Sequence, residues 1–60
     1  MLQPEDITVG DVIRCGFGIY TVLFVEENEY CDGGYGIATE GGYYFSINEC
    51  LKIKDNKWNI

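Results

Sequence analysis

Glycine and other turn-forming residues cut this chain into short pieces, and those pieces are rich in Val, Ile, Tyr, Phe and Thr rather than in helix formers. A helix of ordinary length has nowhere to run, so the pieces read as strands. An extended lead-in at Ile7-Thr8-Val9 turns at Gly10-Asp11 into Val12-Ile13-Arg14-Cys15, and Gly16-Phe17-Gly18 breaks the chain again. The longest strand follows, Ile19-Tyr20-Thr21-Val22-Leu23-Phe24-Val25, and ends in a charged loop from Glu26 to Gly34. Tyr35-Gly36-Ile37-Ala38-Thr39 is a third strand. Glu40-Gly41-Gly42 then supplies the positive-φ positions of a tight hairpin into Tyr43-Tyr44-Phe45. In Ser46-Ile47-Asn48-Glu49, a Ser followed three residues later by Glu fits a capping box around one helical turn. Cys50-Leu51-Lys52-Ile53 is the last strand. The tail from Lys54 to Ile60 either makes a small hairpin at Asp55-Asn56 or frays, and Trp58 is the residue that would dock it.

The order strand, loop, long strand, charged loop, strand, tight hairpin, strand, single turn, strand resembles the SH3-like small barrels, including KOW and Tudor-type domains. Val9-Gly10-Asp11-Val12-Ile13-Arg14 and Tyr20-Thr21-Val22 carry the resemblance, which runs from about Val9 to Ile53. It implies an all-β fold, a small five-stranded SH3-like barrel with one short 3-10 turn before the last strand. It also implies a habit of binding peptides, proteins or nucleic acid on one side of the barrel, and no activity. One domain covers residues 1–60, with the core over about 7–53 and a tail over 54–60. Val22, Ile37, Phe45, Leu51 and Ile53 are the expected core, joined by Val12 or Ile13 according to the register of the first strand.

Sixty residues bury only about 60% of the surface their unfolded chain would expose, so the core is thin. Four basic against ten acidic residues leave a formal net charge of −6, which repels phosphate backbones and anionic lipid and attracts basic surfaces. Direct nucleic-acid binding is therefore not expected, and no run of residues suits a membrane span. The first residues carry neither a basic region nor a signal-length apolar stretch, which makes the cytoplasm the expected compartment. Cys15, Cys31 and Cys50 are odd in number, widely separated and form no CxxC, which predicts reduced thiols packed as small apolar groups.

The chain contains no His, so neither a Ser/His nor a Cys/His nucleophile can be assembled, and the common Cys/His metal sites are excluded. The carboxylates Glu26, Glu27, Glu29 and Asp32 have no calcium-loop spacing. Gly16-Phe17-Gly18 opens like a dinucleotide fingerprint, but Thr21 occupies its third glycine position and a strand follows. The expectation is a protein that is not an enzyme and needs no cofactor or metal.

Nine aromatic residues exceed what so small an interior holds, so some face outward. The second strand is apolar on both faces, which requires a bulge, a covering tail or another chain. Outward rings beside carboxylates suit a cationic partner, because ring faces attract ammonium and guanidinium groups while carboxylates pair with them. Tyr30, Tyr35 and Tyr44 are the expected anchors, with Glu26, Glu27, Glu29 and Asp32 as the rim. The functional expectation is a protein-binding module or inhibitor that engages a basic partner surface. Two alternatives use the same composition: a phage-type anti-host or anti-defence inhibitor presenting carboxylates in place of phosphates, and a small homo-oligomer with a structural or ligand-sequestering role.

Overall fold

The glycine-marked breaks between strands become turns in a computed structural model, which describes residues 2–55. After a 3-10 turn at Pro4–Asp6, five strands follow: β1 (Val12–Cys15), β2 (Gly18–Glu27), β3 (Tyr35–Thr39), β4 (Tyr43–Ser46) and β5 (Cys50–Lys54). A second 3-10 turn, Ile47–Glu49, joins β4 directly to β5. All pairings are antiparallel and the spatial order is β4-β3-β2-β1-β5. The architecture is all-β as expected, but no β4–β5 ladder closes it into a barrel among the described residues.

Local chemistry accounts for the turns. Gly16 at φ +64° starts a two-residue hairpin between β1 and β2, with Cys15 opposite Gly18. Gly41 and Gly42, at φ +89° and +85°, form the expected hairpin between β3 and β4. At the second 3-10 turn the Glu49 carboxylate accepts the Ser46 N–H at 3.0 Å, the reciprocal half of the capping box read from Ser46 and Glu49. The tail beyond Asp55, including Trp58, lies outside the described residues.

β2 is long enough to serve both halves of the sheet, pairing with β1 through Gly18 to Thr21 and with β3 through Val22 to Glu27. A bulge interrupts its apolar run, although Ile19, Leu23 and Phe24 stay exposed: Val22 lies opposite Thr39, Phe24 lies opposite Ala38, and Leu23 is the extra residue between them. Val22 and Val25 thereby face inward, while Phe24 and Glu26 turn out.

The inner face buries Ile13, Val22, Ile37 and Ile47 with Ile7, Cys15 and Cys50, and Tyr20, Val25, Tyr35 and Phe45 pack against them partly exposed. Ile13, not Val12, is the inward residue of β1. Phe45 reaches the core as expected and meets the Tyr20 ring at 4.8 Å between centroids. Leu51 and Ile53 do not join the core; they are 57% and 43% exposed. Leu51 lies opposite Arg14, which lies opposite Ile19, so these three share the outer face, while Lys52 takes the inward position. Lys52 is held there by Asp11, fully buried, at 3.3 Å.

The expectation of three reduced cysteines is overturned by a disulfide between Cys15 and Cys50. These residues are directly opposite on β1 and β5 with Cα atoms 4.4 Å apart, the close spacing of a non-hydrogen-bonded antiparallel pair. Sequence separation hid a contact that strand register creates. Cys31 keeps a free thiol.

Candidate functional site

β2 and the loop after it position most of the residues singled out in the sequence. Asn28 folds that loop on itself: its side-chain oxygen accepts the Tyr30 N–H at 3.0 Å, its carbonyl accepts the Cys31 N–H at 3.0 Å, and its own N–H donates to the Gly34 carbonyl at 3.0 Å. Gly33 and Gly34 turn the chain at φ +92° and +80°; a Cβ on Gly33 would run into Asn48 and Ile47. The loop is tied to the second 3-10 turn through Asp32, whose N–H donates to the Ser46 hydroxyl at 3.0 Å and whose carbonyl accepts the Asn48 N–H at 3.3 Å.

The seven expected site residues do not form one cluster. Tyr35 and Glu27 are opposed on β3 and β2 and line two adjoining depressions. One depression, about 440 Å³, lies between the 4–9 segment and β2 and is lined by Ile7, Val9, Leu23, Val25, Glu26 and Glu27 among others. The other, about 630 Å³, is bounded by Glu27, Asn28, Glu29, Gly34 and Tyr35. Together they make one groove with an apolar end at Val9 and Leu23 and an acidic end at Glu27 and Glu29. Tyr35 sits between the ends with its ring packed on the core.

Tyr44 belongs to the opposite, outer face. It stands opposite Ala38, whose other neighbour is Phe24, and its ring lies across Gly36, where a Cβ would collide with the phenol oxygen. Its hydroxyl donates to Glu26 Oε2 at 2.8 Å and accepts from the Asn28 amide at 3.1 Å. The Asn28 donor draws the Tyr44 pKa down, but the hydrogen bond and charge of Glu26 and the partial loss of water around the phenol together outweigh it, so the phenol titrates above the ordinary tyrosine value. Tyr30 stands alone at the loop tip, 90% exposed. Asp32 is exposed, and its backbone organises the loop.

The sequence reading missed Leu23, Val9 and Ile7 as groove residues. The apolar run of β2 signalled a bulge, but which residue it displaced depended on pairing with β3. A separate hollow, about 730 Å³, lies elsewhere, between the first 3-10 turn and β5. Its cation, Lys52, is already engaged by Asp11, by Asp55 at 3.4 Å and by the Asp6 carbonyl at 2.7 Å. That hollow is a self-satisfied ion-pair site.

No residues within the described part form a group able to hold a metal, and no described helix is long and apolar enough to cross a membrane. No protein-family model, curated protein or solved structure matches the chain.

Proposed function

We propose that this chain is a binding module, an open relative of the small SH3-like arrangement, that holds a basic segment of another protein in the groove along β2. The observation that carries the reading is the pairing of Glu27 with Tyr35 where the two depressions meet, with Glu26 and Glu29 beside them and Leu23, Val25 and Val9 forming an apolar continuation. A Lys or Arg side chain laid against Tyr35 would meet carboxylates at its charged end and a ring along its stem. Carboxylates would mainly raise the association rate and select the partner's sign of charge, while apolar contacts would govern dissociation.

The distribution of acid supports this over mimicry of a phosphate track. Glu27 and Glu29 line the groove, Glu5, Asp6 and Asp55 line the separate hollow, and Asp11 is fully buried beside Lys52. The test is titration of the labelled protein with a peptide of Arg and Lys spaced by Gly and Ser, and with its Gln-substituted counterpart. Binding of the basic peptide alone is expected, weakened about tenfold or more by a Glu26→Gln, Glu27→Gln, Glu29→Gln triple change and by Tyr35→Ala, with circular dichroism showing intact folding. Equal binding by all variants, or by the neutral peptide, would remove the reading.

A further inference from the structure

β2 is a two-sided strand in its first half and a one-sided strand in its second. From Gly18 to Thr21 it is flanked by β1, and the Val22 N–H and C=O complete that edge by bonding the Asp11 carbonyl and the Gly10 N–H, each at 2.9 Å. Beyond the Leu23 bulge the chain pairs with β3 alone, and among the described residues no backbone group bonds the opposite edge of 23–27. Which groups face that edge follows from register. The Asn28 N–H to Gly34 carbonyl bond makes 28 and 34 a hydrogen-bonded pair. Antiparallel pairs alternate, so Glu26 with Gly36 is bonded in turn, whereas Glu27 with Tyr35 and Val25 with Ile37 are not. The N–H and C=O of Val25 and of Glu27 therefore point away from β3, into the depression facing Ile7 and Val9.

We infer that the groove takes its partner as an added β-strand: an extended segment hydrogen-bonded to Val25 and Glu27, carrying two consecutive basic residues next to an apolar one. This rests on the binding-module reading and specifies its ligand. Four backbone groups in alternate positions match an extended strand and cannot be met by a helix, whose backbone groups bond internally. Side chains of an added strand share a face with the residues opposite them. The residue opposite Val25 falls on the apolar inner side, the one opposite Glu27 falls beside that carboxylate and Tyr35, and the one opposite Glu26 falls on the outer side beside its carboxylate. Antiparallel addition reads this as Arg-Lys-Val from N- to C-terminus. The open edge also explains why the strand next to it is charged, since acidic residues there discourage neutral or acidic strands from pairing.

The test is amide hydrogen exchange on the labelled, oxidised protein, alone and with acetylated Thr-Arg-Lys-Val-Thr amide raised to millimolar concentration. In the free protein the Val25 and Glu27 amides are expected to exchange at least tenfold faster than that of Glu26. With peptide, their protection is expected to rise tenfold or more, and the peptide N-methylated at Arg and Val, or reversed to Val-Lys-Arg, is expected to bind weakly. Val25 and Glu27 amides as protected as Glu26 in the free protein, or a peptide that binds and leaves their exchange unchanged, would overturn strand addition and leave the binding module standing. Failure of every basic peptide to bind would remove both.

Discussion

Opening the Cys15–Cys50 bridge is expected to remove a large share of this protein's stability. The bridge joins residues 35 apart in sequence, and chain-entropy arithmetic for a loop of that size gives about 4 kcal/mol at 25 °C. A domain of sixty residues has a total stability of about 3–9 kcal/mol. The described fully buried apolar side chains are few, Ile13, Val22, Ile37 and Ile47 among them, so the small core leaves little in reserve. The bridge also fastens β5, an edge strand whose Leu51 and Ile53 face outward, to β1. Thiol titration of the unfolded, unreduced protein is expected to find one thiol from three cysteines. Urea melts are expected to shift by several molar on reduction, with a slope of about 1 kcal/mol per molar for so small a chain. A Cys15→Ala, Cys50→Ala variant should behave like the reduced protein. Three titratable thiols, or superimposable melts with and without reductant, would refute both the bridge and the reasoning that a thin core depends on it.

Ile37→Ala is expected to cost about 2–5 kcal/mol, because the side chain is fully buried between Val25 and Phe45 on the neighbouring strands, whereas Leu51→Ala should stay within about 1 kcal/mol; comparable losses in chemical melts would place Leu51 in the core after all. Gly42→Val is expected to destabilise by at least about 1–2 kcal/mol, since the position needs a φ of +85°, and an unchanged melting temperature would contradict that turn. Gly36→Ala should push the Tyr44 ring aside and free its hydroxyl from Glu26. The Tyr44 pKa, followed by NMR, is then expected to fall back toward the ordinary value; an unaltered titration would mean that the ring does not lie across Gly36.

Turn chemistry made much of the fold legible in the sequence. Gly41-Gly42 and the Ser46/Glu49 pair marked the hairpin and the 3-10 turn where the structure has them, because these depend on local backbone geometry. What needed long-range register was not legible. Ile13 and Val12 could not be ranked, Leu51 and Ile53 look like core residues until Arg14 and Ile19 are placed beside them, and Cys15 meets Cys50 only because β5 docks on β1. The site was half legible for the same reason. Glu27, Glu29 and Tyr35 are near one another because β2 and β3 form a hairpin, while alternation sends Glu26 and Tyr44 to the other face, where they bond each other, and the Asn28 turn leaves Tyr30 at the tip. The open edge of β2 has no signature in residue types at all; it follows from where β1 stops.

The measurement that tests the binding module most directly is a map of amide shift changes when the basic peptide is titrated in at low and at physiological salt. The largest changes are expected at Val25, Glu26, Glu27, Glu29 and Tyr35, with affinity falling as salt rises. Changes centred instead on the outer row of Arg14, Ile19 and Leu51, or affinity indifferent to salt, would contradict it.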